Sequence, residues 1–363
     1  MLTGAGKFTK RMIAAYIQEA EPTRFFTGMF RSPPENFHNS EEVEIDVLRS
    51  DEDVSVVIQD LSSGYRRNSH DEYTNKAFKP PIHKEAAPLN AFDLLGRDAG
   101  ENPYANEQFQ VKGTARAFRI FRKLEKMIRR SIELQASQVL QTGTVTLQDA
   151  DGNDLYTLDY QPKATHFPDA GTAWGASGAT PMTDLASLGN VIRTNGLADP
   201  DLLCFGETAW ERFISDEDVR QLLDNRRINM GEIRTGERVG SGGIFRGTIE
   251  IGNYSYEIWT YAGRYIDPAT GDSVQYMDPE KVIVRASSGR LDATFGAIPR
   301  FAPPDSRVMP YLPDRIMNGD GRVDLWTNAW LTPDGEQLFV GVGARPLMIP
   351  TAIDTFGCIN VAP

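Results

Sequence analysis

Residues 114–141, TARAFRIFRKLEKMIRRSIELQASQVLQ, decide the fold because they contain neither glycine nor proline. At 1.5 Å per residue, this stretch predicts a helix about 40 Å long. Pro103 opens the wider helical segment and Thr142-Gly143 ends it, so the predicted bounds are 103–141. Apolar residues recur on one face at helical spacing, and they are Phe118, Phe121, Leu124, Ile128, Ile132 and Val139.

The other face of the predicted helix is basic. It carries Lys112, Arg116, Arg119, Lys123, Lys126, Arg129 and Arg130, interrupted by the acids Glu125 and Glu133. The whole chain is acidic, with a formal net charge of −12, so it has no general attraction for nucleic acid or anionic lipid. The basic face is therefore either a solvated surface or a local contact for DNA or an acidic partner.

The segments before the helix resemble an arm and a long loop. Residues 24–30 carry Phe25, Phe26 and Phe30, and we expect so short an arm, which has no local core, to bury them against something else. Residues 42–48 alternate apolar and acidic side chains, which predicts a half-buried strand. Residues 62–79 form a polar segment, with Arg66 and Arg67, that Pro80-Pro81 closes. A loop of this length is typically functional.

The segments after the helix mix helices and strands, which indicates an α+β fold. Residues 144–160 predict a hairpin, and residues 170–181 a linker rich in Gly, Ala, Ser and Thr. A compact α/β unit follows, with helices at 184–194 and 207–223 around a strand at 201–205. Residues 234–247 are interpreted as a glycine-rich loop, and strands at 324–331 and 337–342 close the chain.

A search for chemistry identifies no catalytic, cofactor-binding or metal-binding residue. The four histidines, His38, His70, His83 and His166, lie far apart in loop-like settings, which favours surface or capping roles. Glycines at 4–6 and 240–243 fail the phosphate-loop and dinucleotide patterns. Two Asp/Asn-rich turns, at 149–154 and 318–321, lack the calcium-loop ligands. Cys204 and Cys358 form no disulfide framework and indicate synthesis in a reducing cytoplasm, and no apolar run suggests a membrane span.

Seven local stretches resemble, in the same order, those of one family. They are the Phe-rich arm at 24–30, Phe78-Lys79-Pro80 with His83-Lys84-Glu85, Trp210 to Phe213, Leu223-Asp224-Asn225-Arg226-Arg227, the strand pair at 247–261, Met277-Asp278-Pro279 and Ala344-Arg345-Pro346-Leu347-Met348. The chain thus resembles the major capsid proteins of tailed phages, and most of all the lambda-type capsid protein E family, which has the Hong Kong 97 phage coat-protein fold. Arg345 is an insertion relative to that pattern, and residues 351–363 differ from it.

The resemblance implies a domain organisation. Residues 1–45 would be an N-terminal arm and 46–92 an extended β loop that lies across a neighbouring subunit. Residues 93–182 and 288–350 would form a peripheral domain with the spine helix, 183–287 an axial domain around the five-fold and six-fold axes, and 351–363 a C-terminal tail.

The resemblance also implies partners. The chain would assemble with itself into pentamers and hexamers of an icosahedral shell, in the virion, after synthesis in the bacterial cytoplasm. A decoration or cement protein, a scaffold, a portal at one vertex and sequence-independent proximity to packaged DNA are expected, and no membrane. Contact residues between subunits or toward DNA are expected to be Phe25, Phe26, Phe30, Arg66, Arg67, Arg116, Arg119, Lys123, Lys126, Arg226 and Arg227. Alternatives are a tail or portal component, or a soluble hydrolase.

Overall fold

The computed structural model describes residues 24–37, 42–48, 73–92, 109–149, 151–224, 231–238, 242–296 and 324–362. Four of the predicted contact residues, Arg66, Arg67, Arg226 and Arg227, lie outside these ranges. The chain divides into two compact units. One comprises Met1–Pro22, Ile82–Arg129 and Ala297–Arg345, and the other Thr23–Pro81, Arg130–Gly296 and Pro346–Pro363. The predicted division into arm, extended loop, peripheral domain and axial domain stays a prediction.

The predicted spine helix is present as α1, Phe109–Thr142. At 1.5 Å per residue it is about 50 Å long. The predicted start at residues 103–108 lies outside the described residues, and Gly143, with φ of +68°, ends the helix. A side chain at position 143 would collide with the ring of Pro162, so both the backbone angle and the space require glycine here.

In the unit that contains the first part of α1, the helix packs on a three-stranded antiparallel sheet. The strands are β3 (His83–Asn90), β14 (Trp326–Leu331) and β15 (Gln337–Ala344), in the order β14-β15-β3. Ala117 and Phe121 of α1 pack against Leu89, Leu338 and Val340 of the sheet. This part of the apolar face of the helix therefore covers a sheet.

The other unit is built on a six-stranded sheet in the order β17-β12-β6-β9-β8-β7. The strands are β6 (Leu202–Phe205), β7 (Gly231–Arg238), β8 (Gly243–Ile251), β9 (Tyr254–Tyr261), β12 (Lys281–Arg285) and β17 (Phe356–Asn360). Only β6 and β9 pair in parallel. Helices α2 (Pro181–Gly196) and α3 (Glu207–Ser215) bury Leu185, Leu188, Trp210 and Phe213 in its core.

Smaller two-stranded sheets complete this unit. The antiparallel pairs are β1 (Val43–Leu48) with β2 (Tyr73–Phe78), β4 (Thr144–Gln148) with β5 (Asp154–Asp159), β10 (Arg264–Ile266) with β11 (Ser273–Gln275), and β13 (Asp292–Phe295) with β16 (Pro346–Ile349). The strand predicted at 42–48 is thus present.

Two other predictions are wrong in detail. The glycine-rich segment at 234–247 lies largely in β7 and β8.

The single helix predicted at 207–223 is also interrupted. It breaks at Asp216, whose Oδ1 accepts the N–H of Asp218 at 3.1 Å and of Val219 at 3.2 Å. This side chain caps the start of α4 (Glu217–Asp224), because it accepts backbone N–H groups of the first helical turn.

Much of the segment predicted as a C-terminal tail, residues 351–363, belongs to the core. Strand β17 is an edge of the six-stranded sheet and pairs with β12 from Phe356 to Asn360. Phe356, Ile359 and Val361 are fully or almost fully buried. Cys358 and Cys204 are free and buried, and burial raises the pKa of both thiols, that of Cys358 to about 12. Cys204 lies in β6, so the strand predicted at 201–205 is confirmed.

Candidate functional site

The arm is held by a buried carboxylate on α1. Glu133 is fully buried. Its Oε1 accepts the N–H of Phe26 at 2.8 Å and the hydroxyl of Tyr261 at 3.1 Å, and its Oε2 accepts the N–H and the hydroxyl of Thr27 at 2.9 and 2.6 Å. Burial raises the pKa of Glu133, and the bonds from Thr27, Phe26 and Tyr261 oppose that rise. We call Glu133 and these donors the arm clasp.

Aromatic side chains form the surface on which the arm packs. The Phe25 ring stacks on Tyr261 at 5.0 Å between centroids, and the Phe26 ring meets Tyr261 edge-on, also at 5.0 Å. Gly243 makes room for the Phe25 ring, which any side chain at 243 would strike. Phe25, Phe26 and Phe30 are all buried within their own chain. The expectation that they have no local core is therefore wrong, because distant strands of the same chain supply one.

The rest of the arm is fixed by backbone contacts and a second charged group. The Arg285 guanidinium donates to the Met29 carbonyl at 3.3 Å, and Arg31 bridges in parallel to Asp292. The Phe37 ring stacks on Phe295 at 5.1 Å. The arm residues 24–37 are thus docked along their length, and Glu133 is the residue that sequence reasoning missed. The sequence feature that could have indicated Glu133 is its position as an acidic residue near the end of the basic face of α1.

The basic face of α1 is exposed at its centre. Arg119, Arg122 and Lys123 are exposed, whereas Arg116 and Lys126 are half-buried. Arg129 is drawn into ion pairs with Asp324 and, at 3.7 Å, Glu125. Phe118, predicted on the apolar face, is 37% exposed and lies under Arg122, whose guanidinium is 4.7 Å from the ring centre. The predicted apolar face is therefore wrong at this residue, which a cation covers in place of a core.

The same helix face changes character after Arg130. At helical spacing it continues with Glu133, Ser137 and Gln141, all of which are buried. Ser137 and Gln141 donate to the Tyr276 carbonyl, the latter at 2.8 Å, and Gln141 accepts the N–H of Asp278 at 2.9 Å. The cationic surface therefore ends where the polar face of α1 becomes part of the core.

His166 is buried, contrary to the expectation of a surface role. Its Nδ1–H donates to the Phe356 carbonyl at 2.8 Å, and its Nε2 lies 3.2 Å from the Asn195 amide nitrogen, an arrangement that suits the neutral ring. Desolvation lowers the pKa of His166, opposed by the Phe356 bond and by Asp354, while Lys163 adds to the lowering. No histidine pattern in the sequence could show this, because Phe356 and Asn195 are far along the chain.

Two searches of the described residues concern other classes of site. Within the ranges given above, no cluster of three or more His, Cys, Asp or Glu side chains could hold a metal ion. None of the helices in that part of the chain has the length and apolar character needed to cross a bilayer.

The fold defines the class of protein. A capsid protein of a prophage from Escherichia coli CFT073 superposes with a TM-score of 0.58 at 16% identity, over 80% of each chain. A structure from Gordonia phage Cozz superposes with a TM-score of 0.50 at 13% identity, covering 98% of this chain and 91% of that one. At such identities the similarity is one of fold, and it is the Hong Kong 97 phage coat-protein fold predicted from the sequence.

The sequence itself gives the family. The model of the family described as phage major capsid protein E matches residues 9–357, and this chain belongs to that family. No curated protein matches the chain. The predicted role as a major capsid protein of a phage is confirmed.

Proposed function

We propose that this chain forms pentamers and hexamers, and that these close into the icosahedral head of a tailed phage around its double-stranded DNA. Family membership over nearly the whole chain supports a shell that assembles from copies of this subunit. The proposal includes a portal at one vertex, a scaffold during assembly and a decoration protein on the finished shell. In this role the chain acts in the virion and catalyses no reaction.

The docked arm and the β1–β2 pair suit such a role. The β1–β2 ladder runs from Val43 to Phe78 with a long connection between the strands, and segments with little core of their own are stabilised between subunits. Two free, buried cysteines suit synthesis in a reducing bacterial cytoplasm.

Assembly is tested by expressing the chain alone and with its genomic neighbours, followed by sedimentation and electron microscopy. We expect rings or closed shells, because a shell subunit buries much of its surface against copies of itself. A protein that remains monomeric at high concentration with a scaffold present would contradict the proposal.

We further propose that the exposed basic face of α1 lies toward packaged DNA. Arg119, Arg122 and Lys123 supply three adjacent exposed cations in an acidic protein. Such contacts are made to phosphates, carry no sequence preference and weaken as salt rises.

Reversal of Arg119 and Lys123 to Glu tests this contact, with Arg122 kept because it covers Phe118. These two are chosen because exposed charges add little to folding, whereas Arg116 and Lys126 are half-buried. The matched control reverses Lys84 and Arg264, which are also exposed. We expect the first variant to fold and to retain less DNA per particle than the control. Equal DNA content would contradict the proposal, and failure to form shells would point to an acidic scaffold as the partner.

A further inference from the structure

The root of the β1–β2 ladder lies against the β4–β5 hairpin through two tyrosines. The Tyr156 hydroxyl donates to the Lys79 carbonyl at 2.8 Å. The Phe78 ring meets the Tyr160 ring edge-on, with 5.3 Å between centroids. Burial raises the pKa of Tyr156 to about 12, so its hydroxyl remains a donor at physiological pH. Pro80 and Pro81 follow and are buried.

The same hairpin is tied to the last turns of α1. The Gln138 side-chain amide donates to the Thr146 carbonyl at 2.8 Å and accepts the Thr146 N–H at 3.1 Å. One side chain thereby bonds the backbone of β4 as a neighbouring strand would. The N–H of Tyr160 also donates to the Gly143 carbonyl at 3.2 Å. The hairpin therefore cannot turn without breaking bonds to the helix.

These two attachments are adjacent in the ladder. Thr146 pairs with Thr157, and the next residue, Leu147, pairs with Tyr156. Tyr160, at the end of the hairpin, donates its hydroxyl to the Met348 carbonyl at 2.7 Å and is buried. A short path thus runs from Gln138 on α1 through the Thr146–Leu147 backbone of β4 to the paired residue Tyr156 and the backbone of Lys79.

We propose that the β4–β5 hairpin is a lever that couples the end of the spine helix to the root of the extended loop, with Tyr156 as the positioning residue at the loop end. The inference rests on the proposed function, in which that loop reaches a neighbouring subunit. The six residues of β1 span about 20 Å. A rotation of about 10° at the root then moves the far end by about 3 Å, more than a packed interface tolerates.

Substitution of Tyr156 by Phe tests the lever, because it removes one hydroxyl and leaves the ring. The matched control is Tyr254→Phe, which removes a hydroxyl that bonds Asn190 at 3.1 Å, away from this hairpin. We expect both variants to unfold at the temperature of the wild type. Only Tyr156→Phe should give fewer shells and a broader distribution of diameters, measured by light scattering and electron microscopy.

A second variant tests the coupling itself. Gln138→Ala breaks the helix end of the lever, so it should broaden the diameters as Tyr156→Phe does. The double variant should resemble either single one, because both changes interrupt the same connection. Effects that add would overturn the lever.

The remaining outcomes separate the two proposals. If Tyr156→Phe assembles with the yield and diameters of the wild type, the lever is wrong while the shell function stands. If Tyr156→Phe lowers the unfolding temperature and changes nothing in shells formed from folded protein, Tyr156 has a structural role only, and the lever is also wrong. If the wild type forms no shells, the proposed function itself fails.

Discussion

At the scale of single residues, the Glu133 carboxylate attaches the arm to the spine helix, since four donors converge on it. Two of them are the backbone N–H groups of Phe26 and Thr27, which remain when the side chains of these residues are substituted. The contact joins residues 107 positions apart in the chain. The docked arm therefore depends on one side chain whose removal leaves several buried donors without an acceptor.

We predict that Glu133→Ala destabilises the subunit by roughly 3 kcal/mol or more, because each buried donor left unsatisfied costs about 1–3 kcal/mol. Glu133→Gln should also destabilise, since its NH₂ group would face a donor. Chemical denaturation of unassembled protein measures both. The control is Glu125→Ala on the same helix, whose contact with Arg129 is 3.7 Å long and half-exposed, so its loss should cost little. Equal costs for positions 125 and 133 would contradict the clasp.

His166 predicts a pH dependence of stability. Its pKa in the folded chain is lowered from the ordinary value of 6.5, so the folded state favours the neutral ring. The stabilisation is present above pH 6.5 and is lost as the pH falls through the lower folded pKa. We expect the free energy of unfolding to fall between pH 7 and 5, and to fall less steeply in His166→Gln. Identical slopes in the two proteins would show that another group is responsible.

At the scale of elements, α1 was the feature best predicted from sequence, because an uninterrupted apolar period is a local property of the chain. Its environment was not predictable in the same way. Phe118 has the right spacing for the core, yet Arg122 covers it at the surface. Glu133 looked like a break in the basic face, and its donors lie far away in the sequence. Burial of either residue depends on tertiary partners that periodicity does not contain.

The arm and the C-terminal strand show the same limit. Three phenylalanines in a short segment correctly indicate that something else must bury them, but the sequence does not say whether that is the same chain or a neighbour. Residues 351–363 departed from the family pattern and were interpreted as a tail. Their pairing with Val282 to Arg285 in β12 is a long-range contact, so the interpretation had no local signal to correct it.

Strand β17 should be required for folding. Removal of residues 356–363 takes away Phe356, Cys358, Ile359 and Val361, each buried and worth about 1.5 kcal/mol or more. This is a large part of the roughly 5–15 kcal/mol that stabilises a domain. We expect the truncated chain to be insoluble or unfolded by circular dichroism. A folded, shell-forming truncation would contradict the assignment of β17 to the core.

A point substitution sharpens that test. Phe356→Ala should cost about 3–5 kcal/mol, because its ring is fully buried. Leu155→Ala is the matched control, since Leu155 is 73% exposed, and it should change the stability by less than about 0.5 kcal/mol. Denaturant titration of both variants measures the difference.

At the scale of the whole molecule, we predict that mature particles dissociate to a single monomer band on a denaturing gel. A Lys–Asn isopeptide bond between subunits would need a lysine amine, such as that of Lys76 or Lys79 on the loop, and a buried carboxylate that takes up the proton of that amine. Among the described residues, the only buried glutamate is Glu133, and the arm occupies its oxygens. A ladder of covalent multimers would refute the prediction.

The two buried thiols have a consequence for chemical labelling. Only deprotonated, accessible thiols react readily with maleimides, and both cysteines of the chain are buried, with raised pKa values. A cysteine introduced at an exposed position such as Asp151 would then be the one reactive thiol of the folded subunit. Dyes or cargo could be attached at one site per subunit without removal of Cys204 or Cys358, and unwanted labelling of wild-type protein would report unfolding.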